Sequence, residues 1–328
     1  MRGWEPGTIR RVTDAGKHMQ CMEVWGGNRR IDTSVVLPGL DAWVYSQPHG
    51  VIAPTPTATQ TPNKIPSGQQ TKVDAGDGGG DVHYVSSCAS GMIARILVAD
   101  VAGHGRPVAE TADRLRKLMR RHINDHDQVR LMRSLNREFA AVSTAGRFAT
   151  AVAFTFDATT GRLIVTNAGH PPPMWYRADL RQWAFLTPGS LNDTPDPETD
   201  DASPSDVPFG IEDAVDYSRF EVRIGPGDVV VCYTDSLPES RSAAGNMLGN
   251  DGLLEATRGL RGADPGALVR DLLHAVFGAG APPGDDVTVV AFRPNGQRAH
   301  IPFLDRLLAP LRVLRVVAGL ALNEPQTR

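Results

Sequence analysis

The feature that most constrains this chain is a set of short aliphatic runs, each with an aspartate at its margin. "ARILVAD" ends at Asp100, "GDVVVCYTD" ends at Asp235, and Asp285 and Asp286 stand immediately before "VTVVAF". A fifth aspartate, Asp81, follows three glycines and precedes "VHYVSSCAS". Runs this short, rich in Val and Ile and bounded by turn residues, read as buried strands.

The remaining pattern fixes the fold class. "VHYVSSCAS" and "ARILVAD" read as a hairpin with Ser90 and Gly91 near its turn. Residues 107–122 form a helix whose apolar face is Val108, Ala112, Leu115 and Leu118 or Met119. A second helix follows in "DQVRLMRSLNREFAAV", with Leu131 and Leu135 four apart. "FATAVAFTFD" and "GRLIVTNAG" are strands joined by "ATTG", and "DYSRFEVRI" and "GDVVVCYTD" are separated by "GPG". "ADPGALVRDLLHAVF" is a helix with Pro265 near its start, and "DDVTVVAF" is a last strand. Strands arriving in neighbouring pairs, with helices between the pairs, favour α+β packing over a βαβ repeat.

Three segments frame one domain at 21–298. An N-terminal extension covers 1–20. A Pro-, Thr- and Gln-rich insert at 51–75 has no apolar period. Upstream of it, "CMEVWGGN" and "GLDAWVYSQ" add an edge strand or two. The tail at 299–328 carries Leu307, Leu308, Leu311, Leu314 and Ala318 on one helical stripe, interrupted at Pro310. Such a stripe, interspersed with arginines, suits a second copy, a partner, a membrane surface or the tail's own domain. It is too short and too charged to span a bilayer. The acidic, proline-rich stretch from Thr187 to Asp216 reads as a flap or a solvated loop.

Composition narrows the partners. The 328 residues carry a net charge of -3, which gives no reason to expect a nucleic-acid partner. The three cysteines, Cys21, Cys88 and Cys232, are widely spaced and odd in number, against a disulfide framework or a thiolate zinc site. With no apolar leader run, the expected compartment is the cytoplasm.

The glycines around His104 exclude two nucleotide motifs. A P-loop needs Lys-Ser/Thr where Arg106-Pro107 stand, and a dinucleotide fingerprint needs glycine at Val108. The aspartates are more informative. Carboxylates converging without a counterion repel one another, and a cluster of hard oxygen donors suits Mg²⁺ or Mn²⁺. The alternative is that each aspartate caps its own turn.

In order along the chain stand "GGD" (79–81), "ADVAGHG" (99–105), "RFAT" (147–150), "NAGHPPP" (167–173), "PFGI" (208–211), "GDVVVCYTD" (227–235) and "DDVT" (285–288). This set resembles bacterial serine/threonine phosphatases of the metal-dependent PPM (PP2C-like) superfamily, in the SpoIIE/RsbU branch, over roughly residues 40 to 293. The resemblance implies a four-layer αββα sandwich of two stacked antiparallel sheets flanked by helices. It implies two Mn²⁺ or Mg²⁺ ions held by Asp81, Asp100, the Val101 carbonyl, Asp235 and Asp285. Activated water would attack phosphoserine or phosphothreonine directly, with Asp100 and Asp235 catalytic and His104 as candidate general acid. The substrate implied is a phosphorylated protein, an anti-sigma factor antagonist being one such partner.

Two positions depart from the branch. Tyr84 replaces the second aspartate of "GGDxxD", and Ser236 replaces the glycine of "TDG". Asp286 either orients its neighbour or satisfies the turn. The alternative for His104 is that it holds its glycine turn by a hydrogen bond to backbone. His170 reads either as a boundary of the site's rim or, with Asn167, as part of a rigid turn, and His83 as a surface or flanking residue. Cys88 and Cys232 read as core residues, since no Cys-x5-Arg loop is present. Two rival functions remain, a non-catalytic phosphoprotein-binding module and a small-molecule phosphomonoesterase.

Overall fold

The computed structural model describes residues 21–50, 78–88, 91–143, 146–188, 206–241, 245–260, 264–278 and 284–297. The N-terminal extension, the 51–75 insert, the tail and most of the acidic proline-rich stretch lie outside the described residues. Three strands come first, β1 (Cys21–Arg29), β2 (Ile31–Leu37) and β3 (Leu40–Gln47). The hairpin β4 (Gly78–Cys88) and β5 (Ile93–Val101) leads into α1 (Arg106–His122) and α2 (Gln128–Val142). Then follow β6 (Ala149–Asp157), β7 (Arg162–Ala168), β8 (Met174–Arg177), β9 (Gln182–Phe185), β10 (Phe220–Arg223) and β11 (Val229–Tyr233). The helices α3 (Gly249–Thr257) and α4 (Pro265–Phe277) precede β12 (Val287–Pro294).

The strands form two antiparallel sheets, ordered β1-β4-β5-β6-β7-β10 and β2-β3-β12-β11-β8-β9. Alternation along each strand decides what it buries. Val230 and Cys232 of β11, with Val290 and Phe292 of β12, join Ile96, Val98, Phe154 and Val165 of the first sheet in a core between the sheets. The intervening Val229, Val231, Val289 and Ala291 pack instead with Leu253 of α3 and Leu268, Val269 and Leu272 of α4. On the far side of the first sheet, α1 buries Val108, Ala112, Leu115, Leu118 and Met119, the stripe read from sequence. Each fully buried aliphatic chain of this kind contributes about 1.5–3 kcal/mol. The result is an αββα sandwich.

The helices are also tied down by buried polar groups. Gln128, at the start of α2, donates to the Ala153 carbonyl at 2.9 Å and accepts from the Thr155 hydroxyl at 2.5 Å. Arg95 of β5 is fully buried and reaches the Ile123 carbonyl at 2.6 Å, beneath the α1–α2 connection. Among the described residues no helix is long and apolar enough to cross a membrane.

Two expectations are corrected. Residues 20–50 supply three strands, not one or two at an edge: β1 and β2 edge separate sheets, while β3 lies inside, paired with β12 along its length. The "GPG" turn does not join sheet neighbours, because β10 pairs with β7 and β11 pairs with β12 and β8.

Candidate functional site

Antiparallel pairing gathers the aspartates. In the β4–β5 hairpin the start of one strand faces the end of the other, so Asp81 and Asp100 are register partners. In the second sheet, the end of β11 likewise meets the start of β12, with Tyr233 opposite Val289. This delivers Asp235 and the Asp285-Asp286 pair to one place. A hydrogen bond across the sheets joins the two halves: the Thr234 hydroxyl donates to Asp81 at 2.9 Å. Four strand ends therefore meet at one end of the sandwich.

Asp286 fastens this corner. Its carboxylate accepts from the backbone amides of Gly80 and His49, tying β12 to β4 and to the chain after β3. It satisfies backbone donors remote in sequence, while Asp285, exposed, accepts from the Asp286 amide at 2.8 Å. The "GGD" glycines follow from the same crowding. A Cβ on Gly79 would lie 2.3 Å from Asp286 Oδ2, and one on Gly80 would lie 2.8 Å from the Val101 carbonyl oxygen.

The electrostatics are those of converged anions. Burial, then the charges of Asp100 and Asp286, pushes Asp81 well above the carboxylate range. Asp100 rises to about 7 through burial and the charges of Asp235, Asp285, Asp286 and Glu239. Asp235 rises to about 6 through burial, Glu239 and Asp285, opposed by a backbone hydrogen bond from Ser236. No cationic side chain is among these causes. Among the described residues no three His, Cys, Asp or Glu side chains already stand as a metal-binding group. The carboxylates share a field rather than a formed coordination sphere. Their all-oxygen donor set, unneutralised and half-desolvated, fits a hard divalent cation.

Of the three histidines, His83 departs from expectation, while His170 lies in the turn read from sequence. His104 is exposed between Gly103 and Gly105, whose φ values of 108° and 86° favour glycine, and no described residue hydrogen-bonds its ring. His170 is buried, with Nδ1 2.9 Å from the Thr150 hydroxyl and Nε2 unpartnered. Asn167 clamps its backbone, accepting from the His170 amide at 2.7 Å and donating to its carbonyl at 2.9 Å. His83 is no surface residue. It is 1% exposed with both ring nitrogens unpartnered, and burial lowers its pKa to about 4. Tyr84, at the departure from the branch pattern, is fully buried.

Two groups at the site carry no sequence role. Thr234 bridges the sheets, as above. Glu239 sits one turn beyond Asp235, its amide bonded to the Asp235 carbonyl at 2.9 Å. The four-residue spacing to Asp235 was the available signal. A groove of ≈ 400 Å³ runs beside them, lined by His170, Pro171, Pro172, Asp235, Glu239 and Met247 among others.

The comparisons with known proteins agree with this architecture. The family model "Stage II sporulation protein E (SpoIIE)" matches residues 92–295. No curated protein matches the chain. Among solved structures, the RsbU and RsbW domains of a Mycobacterium tuberculosis protein superpose with a TM-score of 0.58 at 21% identity, covering 89% of this chain and 72% of that one. The PP2C phosphatase domain with a regulatory-domain fragment of SpoIIE from Bacillus subtilis gives 0.56 at 13% identity, covering 84% and 71%. The SiaA-PP2C domain of Pseudomonas aeruginosa gives 0.55 at 17% identity, covering 77% and 84%. Likenesses at these identities speak to the fold; the family match, over more than half the chain, speaks to descent. The chain belongs to the SpoIIE family and has its PP2C-like fold.

Proposed function

We propose that this protein is a metal-dependent phosphatase that hydrolyses phosphoserine or phosphothreonine on a protein substrate, in a bacterial signalling pathway. Water attacks phosphorus directly, with no phosphoenzyme. The observation that carries this reading is the convergence of carboxylates from four strand ends without a neutralising side chain.

Asp81, Asp100, Asp235, Asp285 and the Val101 carbonyl would hold two Mn²⁺ or Mg²⁺ ions. Bound there, divalent cations would lower the pKa of water and would neutralise charge on the phosphoryl oxygens. The chain's own groups do the rest. Thr234 orients Asp81 by donating to it, and Asp286 holds the start of β12 against the start of β4 across the two sheets. His104, exposed and four residues after Asp100 in the chain, is the proposed donor of a proton to the leaving alkoxide. The groove beside Asp235 receives the polypeptide that flanks the phosphoresidue. An anti-sigma factor antagonist is a substrate of the right class.

The test is phosphate release from a phosphothreonine peptide with Mn²⁺, with Mg²⁺ and with EDTA. The expected result is release that requires a divalent ion and falls at least about a hundredfold in EDTA. Release indifferent to EDTA contradicts the proposal. Binding of the peptide by folded protein without release under either metal favours the non-catalytic module. Faster turnover of small phosphomonoesters than of any phosphopeptide favours the small-molecule enzyme.

A further inference from the structure

A second cluster lies at the opposite end of β4, away from the carboxylates. Cys21 at the start of β1 and Cys88 at the end of β4 are register partners in an antiparallel pair. Directly opposed residues of such a pair project to the same face of the sheet. Both are buried, each 7% exposed.

The hydrogen bonds around them define the type of pair. The Cys88 carbonyl accepts from Gly91 at 2.8 Å, so its backbone polar groups turn toward the β4–β5 side, away from β1. The Cys21 amide donates to Asn124 Oδ1 at 2.6 Å, in the α1–α2 connection rather than on β4. The two residues therefore form a non-hydrogen-bonded pair. In that arrangement the Cα atoms stand about 4.5 Å apart, at the short end of the roughly 4.4–6.8 Å that disulfides span.

A third residue completes the cluster. Arg95 of β5 is 1% exposed, forms no ion pair with any described residue, and its Nε has no partner. Its positive charge favours the Cys21 thiolate, although burial outweighs it and raises the thiol to about 11. At rest the pair is protected. β1 is the edge strand of its sheet, so local opening there is the route for a small oxidant.

We propose that Cys21 and Cys88 are a thiol-oxidation site, converted by a peroxide into a cross-strand disulfide that staples β1 to β4. The Cys21 thiolate attacks one peroxide oxygen and the O–O bond breaks; the released hydroxide takes a thiol proton and leaves as water. The Cys88 sulfur then displaces hydroxide from the resulting sulfenic acid, which takes the second proton as a second water. Two electrons pass from the two sulfurs to the peroxide, and one S–S bond forms.

The test is hydrogen peroxide treatment of the full chain, followed by alkylation and non-reducing peptide mapping by mass spectrometry. The expected product is one Cys21–Cys88 linked peptide, reversed by dithiothreitol, with Cys232 still alkylatable. The oxidised protein should melt roughly 5–10 °C higher than the reduced form. Cys21→Ser and Cys88→Ser should each abolish the linked peptide; either alone suffices if the other does not fold. Thiols that both remain alkylatable after oxidation overturn the proposal, as do separate sulfinic acids in place of a link or a disulfide that includes Cys232.

Discussion

At the scale of single residues, the site is a set of groups held where water would not leave them alone. Asp81 and Asp100 were readable as strand-end carboxylates, but a strand-end aspartate can also simply cap its turn; that the two face one another came from the hairpin register. His83 was not readable: alternation with Val82 and Tyr84 predicts two faces, but β4 is covered on both, and nearly the whole strand is buried. His170 gives this scale its prediction. Burial lowers its pKa to about 3, whereas the unfolded imidazole titrates near 6.5. The unfolded chain therefore takes up the proton first. His170's contribution to stability is present above about pH 6.5 and drains away as pH falls toward 3, at up to about 1.4 kcal/mol per pH unit. Urea unfolding of His170→Gln between pH 6.5 and 4.5 should give a shallower loss than wild type. Parallel pH dependences would mean that the buried imidazole is not held neutral.

Among elements, the long periodic ones were legible and the short or remotely paired ones were not. The predicted helix 107–122 is α1, one residue longer, and its stripe is buried as read. β8 and β9 have four residues each, too few for alternation to register. The place of β3 is a different failure. Its residues alternate between buried and half-buried, but its partner β12 lies some 240 residues on, and a strand's pattern names its faces, never its neighbour. Cross-element polar ties were equally invisible. Gln128 reads as an ordinary first-turn residue of α2, yet it is buried and bonds both β6 and the Thr166 hydroxyl of β7. Gln128→Ala leaves those buried partners unsatisfied and opens a void, so it should cost about 2–4 kcal/mol in chemical denaturation. A cost below about 0.5 kcal/mol would mean that water replaces the side chain freely.

For the whole molecule, the sandwich explains why four distant aspartates form one site. Each sheet contributes a hairpin-like pair of central strands, and antiparallel pairing puts a strand end beside a strand start in each. Stacking then brings the two corners together, with Thr234 and Asp286 as the ties between them. The motif order made the fold legible; the structural part of Asp286 became legible only from the backbone amides its carboxylate accepts from. The central claim is that this corner holds divalent cations. A calorimetric Mn²⁺ titration of wild type beside Asp100→Asn, with both confirmed folded, tests it directly. The account predicts binding of two ions to wild type and at least a tenfold loss of affinity in the variant, since a ligand's removal costs no less than that of its supporting partner. No measurable binding to wild type, or equal affinity in the two proteins, would contradict it.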